Sequence, residues 1–208
     1  MEKTELELRE DLVRVGHILF ERGLTNGSAG NMSVALEDGS FIATPTGSSL
    51  GQLDAEELSK VDTEGTLLSG KKPTKEVLFH LALYKANPEV KAIIHLHSTY
   101  STAYACLAGL DPANAIRPMT PYIVMRLGKV LLLPYHKPGS IEIANDLSKV
   151  AAGHKAFLLA NHGMIVGGKS MTDALNNAEE LEESCKLFFL TKGLDVNYLT
   201  EAEIDELL

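Results

Sequence analysis

At 208 residues with 45% hydrophobic side chains, the chain can bury one sizeable core, and residues 1–208 are expected to form a single domain. A net charge of −9 and a pI near 5.3 argue against nucleic acid or an anionic membrane as partner. No apolar run approaches the roughly 20 residues of a membrane span, and Met1 to Glu5 lacks a secretory apolar core, so a soluble, cytoplasmic protein is expected.

Leu8, Leu12, Val15 and Leu19 recur at helical spacing, and Gly23 ends that helix. A glycine-rich turn from Thr25 to Asn31 leads into two short strands, Met32 to Leu36 and Phe41 to Thr44, joined as a hairpin at Asp38-Gly39. Asp54 to Glu57 resembles a capping box opening a short helix, and Pro73-Thr74 opens a longer one running to Asn87-Pro88. Further helices are expected over Ser140 to Ala152, over Met171 to Thr191 and after a cap at Thr200 to Glu203. Hairpins mixed with helices predict an α/β fold with a mixed or mostly antiparallel sheet covered by helices. Cys106 and Cys185 have no CxxC spacing and read as reduced, helix-packed thiols.

Two apolar runs end in histidine. Val90 to Ile94 leads into His95-Leu-His97, and two histidines at i and i+2 on a strand project from one face. Ala156 to Ala160 leads through Asn161 to His162. Three neutral imidazoles suit a zinc site that keeps a position open for water or substrate. An HxH pair alone is more often a pair of histidines satisfied by hydrogen bonds. Glu76, in the first turn of the helix opened by Pro73, is the carboxylate to add to the set, although the helix dipole alone accounts for a glutamate there. Glu76 and His80 are also i,i+4 neighbours and could form a ligand pair of their own, but His80 lies in an apolar stretch and reads as a packed or satisfied helix histidine. His17, His136 and His154 show no ligand spacing.

Taken in order, Gly27-Ser-Ala-Gly-Asn-Met-Ser33, Thr44-Pro-Thr-Gly47, Lys72-Pro-Thr-Lys-Glu76, His95-Leu-His97, Pro134-Tyr135 and Asn161-His-Gly163 closely resemble the class II aldolase/adducin family over nearly the whole chain. Within it the runs GSAGNMS, SGKKPTKEVLFHLALY, IRPMTPYIVMRLG and LLANHG are most similar to the members that decarboxylate 3-oxo-tetronate 4-phosphates. The resemblance implies one Zn2+ per chain held by His95, His97 and His162, with Glu76 as fourth ligand and acid/base. It implies phosphate contacts from Asn31, Thr46, Gly47, Thr74 and Lys75, and a proton donor, Tyr122, contributed by a neighbouring subunit of a homotetramer with inter-subunit sites. Lys75 departs from the family pattern, in which two hydroxyl residues precede the glutamate; alternatively it is a solvated helix-start lysine. Tyr122 beside Pro121 can equally be an interface or core residue.

The implied reaction converts a four-carbon 3-oxo sugar-acid phosphate to dihydroxyacetone phosphate and CO2 through a metal-stabilised enediolate. The same fold implies an alternative, cleavage of a ketose 1-phosphate such as L-fuculose 1-phosphate. A pentulose-phosphate 4-epimerase and a noncatalytic adducin-like assembly domain are further alternatives. An assembly domain has no need of an intact set of three histidines and a glutamate.

Overall fold

A computed structural model describes residues 3–208, so Met1 and Glu2 of the amino-terminal reading lie outside the described residues. In chain order the elements are α1 (Glu5–Glu21), β1 (Asn31–Ala35), β2 (Phe41–Ala43), β3 (Ser59–Val61), β4 (Leu67–Ser69), α2 (Val77–Ala86), β5 (Ala92–Leu96), α3 (Thr99–Ala105), α4 (Pro121–Leu127), β6 (Leu131–Leu133), α5 (Ile141–Val150), β7 (Ala156–Leu159), β8 (Gly163–Gly168), α6 (Met171–Leu190) and α7 (Glu201–Asp205). The strands make one sheet in the order β4, β3, β2, β1, β5, β8, β7, β6, antiparallel except where β6 meets β7. A mixed α/β fold with a mostly antiparallel sheet flanked by helices is thus borne out. Among the described residues no helix is long and apolar enough to cross a membrane.

Alternation along the central strands sorts side chains between the two faces. Met32, Val34, Ala92, Ile94 and Leu96 join one core with residues of α1, α3, α4 and α6. Ile93 joins Phe157, Leu159 and Ile165 in a second core with residues of α2 and α5. His95 shares the face of Ile93, and the register Asn31↔His95 and Ser33↔Ile93 sets Asn31 and Ser33 on that face too. The chemistry therefore gathers between the sheet and α2.

Two expected helix starts are corrected. Asp54 to Glu57 forms a turn, with Asp54 Oδ1 accepting from the Glu56 N–H at 2.9 Å and Asp54 O from the Glu57 N–H at 3.1 Å. Leu58 is then buried and Ser59 pairs with Ala43, which leaves no length for a helix. Pro73 does not open α2 either: it forms a bridge with Pro45, and the Thr74 N–H donates to Thr44 O at 3.0 Å. Extended pairing carries the chain to Thr74, and α2 begins only after Glu76, whose side chain caps nothing. Cys185 is a buried free thiol, whereas Cys106 is a free thiol at the exposed C-terminal cap of α3 rather than packed within a helix.

Candidate metal centre

Each of the four candidate ligands stands where a regular element starts or stops. His95 is fully buried near the end of β5, and its Nδ1 lies 2.7 Å from Met164 O. A carbonyl oxygen only accepts, so Nδ1 carries the ring proton and Nε2 presents a bare lone pair to the site. His97 follows the end of β5 and is exposed to the cleft. His162 sits in the turn between β7 and β8, where Asn161 is the described non-glycine residue with positive φ, +55°. Asparagine tolerates that left-handed conformation, which lets a three-residue turn swing His162 over the strand ends. Glu76 precedes α2 with φ −101° and ψ 6°, so its carboxylate leaves the helix axis and enters the same space.

The ligand atoms of Glu76, His95, His97 and His162 all lie within 4.8 Å of one another. His95 Nε2 is 3.0 Å from His97 Nε2 and 3.3 Å from Glu76 Oε2, and His162 Nε2 is 3.6 Å from Glu76 Oε1. Glu76 Oε1 and both ring nitrogens of His162 are buried without a hydrogen-bond partner. Such orphaned groups are costly in a folded chain unless something else completes them. Burial, reinforced by the neighbouring imidazoles, holds His95 well below its ordinary pKa; burial likewise lowers His97 and His162 against the opposing pull of Glu76. Neutral nitrogens and a carboxylate converging on one point, short of partners, fit a divalent cation.

Beside this cluster opens a cleft of 360 Å³ whose lining includes Ser28, Asn31, Thr46, Gly47, Thr74 and Lys75. Pro138 and Gly139 close its far wall. All five residues expected to contact phosphate therefore face one cleft, but they are not alike. Thr46, Gly47 and Lys75 are exposed on the rim, whereas Asn31 and Thr74 are buried. The Asn31 side chain is already engaged, donating from Nδ2 to Glu76 Oε2 at 2.8 Å. Tyr122 lies apart from this set: on α4 it is 62% exposed and does not line the cleft. His80 stays out of the ligand cluster and is buried and hydrogen bonded.

The model of the Class II Aldolase and Adducin N-terminal domain matches residues 10–189. The chain belongs to this family. It is 57% identical over 205 residues to the 3-oxo-tetronate 4-phosphate decarboxylase of Escherichia coli strain K12, covering 99% of this chain and 97% of that protein. The crystal structure of YgbL from Escherichia coli superposes with a TM-score of 0.96 at 56% identity, covering 99% of both chains. Against the L-fuculose phosphate aldolase of Methanococcus maripaludis strain C5 the identity is 34%, over 88% of this chain and 97% of that one. Sequence similarity thus falls at two levels, and the greater is to the decarboxylase.

Sequence reasoning passed over Ser33, which contacts His80, and Tyr84, which contacts Ser33, and over Ser28, Ser48, Pro138 and Gly139 in the cleft wall. Ser28 lay inside a quoted motif, so the glycine-rich turn held a usable signal. Pro138 and Gly139 reach the cleft only through the packing of the β6–α5 connection.

Proposed function

We propose that the chain, acting as one unit over 1–208, decarboxylates a 3-oxo-tetronate 4-phosphate to dihydroxyacetone phosphate and CO2. The observation that carries this reading is the 57% identity, across 99% of the chain, to a protein named for that activity. The site chemistry agrees with it. His95, His97 and His162 would hold one Zn2+, with Glu76 as the fourth ligand. When bound, the ion supplies Lewis acidity for a substrate ketone oxygen and the hydroxyl beside it.

In the reaction the bond between C1 and C2 breaks, CO2 departs, and the electron pair moves toward the C3 ketone oxygen. A proton must then reach C2. In this reading Glu76, whose Oε1 is unpartnered beside His162, delivers it and recovers another from water in the cleft. Thr46, Gly47, Thr74 and Lys75 would hold the phosphate at the other end of the cleft, the backbone N–H groups and hydroxyls supplying local attraction that a chain of net charge −9 lacks at long range. Asn31 acts on Glu76 in this scheme more than on phosphate. Tyr122 serves as a second proton donor only across a subunit boundary, in a homotetramer whose sites lie between protomers. The cytoplasm is the compartment we infer for this work.

Metal-loaded protein given a 3-oxo-tetronate 4-phosphate should release CO2 and leave dihydroxyacetone phosphate. The same protein given L-fuculose 1-phosphate should release little aldehyde. Efficient aldehyde release without CO2 would establish the aldolase alternative instead.

A further inference from the structure

A row of buried polar groups runs from Glu76 away from the cleft. On α2 and the residue before it, Glu76, His80 and Tyr84 recur every four residues, and on β1 Asn31 and Ser33 are two apart. Four helical residues advance about 6.0 Å and two strand residues about 6.8 Å, so the two rows stay in step. The contacts alternate between them. Tyr84 Oη lies 2.8 Å from Ser33 Oγ, Ser33 Oγ 2.7 Å from His80 Nδ1, and His80 Nε2 2.6 Å from Asn31 Oδ1; Asn31 Nδ2 donates to Glu76 Oε2 at 2.8 Å. All five side chains are buried.

Chemistry sets the direction of every bond in this row. An ionised carboxylate oxygen only accepts, so Asn31 must turn its amino group toward Glu76 and its carbonyl oxygen toward His80. That carbonyl oxygen also only accepts, so His80 Nε2 carries the ring proton. Burial pushes His80 down to about 3, which keeps the ring neutral and leaves Nδ1 bare to accept the Ser33 hydroxyl. The Ser33 oxygen in turn accepts the Tyr84 hydroxyl. Reversing any member would set two acceptors or two donors face to face.

We propose that His80 is a positioning residue for Glu76: its Nε2–H locks the Asn31 amide so that Nδ2 holds Glu76 Oε2 and Oε1 is left free beside His162. The proposal rests on the reading of Glu76 as metal ligand and proton carrier. Without that N–H the amide can swing over and present Oδ1 to the carboxylate, which turns an attraction into a repulsion and lets the carboxylate drift.

Three measurements test it on the purified, metal-loaded protein. Nitrogen-15 NMR of labelled histidine should show the His80 proton on Nε2; a proton on Nδ1 overturns the proposal. His80→Phe keeps a ring stacked on Phe79, whose centroid is 4.8 Å away, but has no N–H. It should lower kcat at least about tenfold with KM changed less than about threefold, because misplacement of a reacting group is expressed in turnover. It should also weaken metal binding in competition with a chelator. His80→Gln, whose amide can donate to Asn31 Oδ1, should restore most of both. A folded His80→Phe protein with unchanged kcat and metal affinity overturns the proposal. Should that variant not fold, Ser33→Ala replaces it, since removing the hydroxyl frees Nδ1 without touching Asn31; a severalfold loss of kcat at constant KM is expected, and no change in kcat or ring tautomer is the contrary result. If the wild-type protein releases no CO2, the decarboxylase reading fails by itself, while the tautomer and the chelator competition still decide the role of His80.

Discussion

The floor of the cleft and its rim differ in how they are held. On the floor, His95 and His162 are buried, Glu76 is gripped by Asn31, and the strand register of β1, β5 and β8 fixes His95, onto which the other three side chains converge from the ends of elements. On the rim, Thr46, Gly47 and Lys75 are exposed and belong to connections rather than strands. A floor anchored by burial and by the pairing of β5 resists change, which suits chemistry common to a family; an exposed rim can vary without disturbing the core, which suits the choice of substrate. Substitutions on the floor should abolish the reaction, and those on the rim should alter its affinity.

The severest break of the floor is His97→Ala. The variant should lose its metal and its activity while staying folded, since His97 faces the cleft and carries little of the core. Metal analysis and circular dichroism together check this, and stoichiometric metal in a His95→Ala/His97→Ala protein would remove the site. Glu76→Gln comes next. Three histidines should retain most of the metal, whereas turnover should fall on the order of 10² to 10⁴ if the carboxylate moves the proton. Near-normal turnover would place the proton carrier elsewhere.

On the rim, Lys75→Ser restores the two-hydroxyl pattern of the aldolases. A charged hydrogen bond to substrate is worth about 1.5–3 kcal/mol, so KM should rise roughly tenfold or more with the metal content unchanged. Unaltered kinetics would make Lys75 a solvated lysine and return the aldolase alternative to equal standing.

Two glycines sharpen the contrast through stability. Both have positive φ, Gly30 at +80° and Gly47 at +75°. A Cβ on Gly47 meets nothing within 4 Å, whereas on Gly30 it would lie 2.8 Å from His95 O. Gly47→Ala should therefore cost about 1–2 kcal/mol from the backbone alone. Gly30→Ala should cost more and also weaken metal binding, because β5 must shift to admit the methyl. Equal melting temperatures for the two would contradict the distinction.

A last contrast concerns acid. His80 is held at about 3 when folded against an ordinary value of 6.5, so between these limits the unfolded chain takes up a proton that the folded one refuses. Its penalty is absent above pH 6.5 and grows as the pH falls toward 3. His80→Gln should flatten the loss of stability across that window, as read by denaturant titration at stepped pH; an unchanged slope would contradict it.

The parts legible in the sequence are those with a local signature. The apolar run before His95 marks a buried strand, and the i,i+2 spacing gives two imidazoles of one face, so half of the ligand cluster can be read from eight residues. The capping box at Thr200 and Glu203 forms as written. By contrast β3, β4 and β6 have three residues each, too few for alternation to register, and β8 contains Gly163, Gly167 and Gly168, which argue against a strand when taken locally. Pro73 misleads because proline suits both a first helical turn and an edge bridge, and only its partner Pro45 decides between them. The hold of Asn31 on Glu76 depends on a strand register that no single segment carries.

The order of the sheet also constrains how the protein is made. β5 lies between β1, which precedes it by a long stretch containing three strands and a helix, and β8, which follows three further helices and two strands. His162 cannot approach His95 until β8 has paired along β5, and such distant pairings are the slow events of folding. A growing chain therefore offers at most Glu76, His95 and His97, and the set of four is complete only once β8, ending at residue 168, has been synthesised and docked. On the proposed reading an ion would be captured by finished molecules and would act afterwards as a brake on their unfolding, the folded chain serving as the mould for the metal.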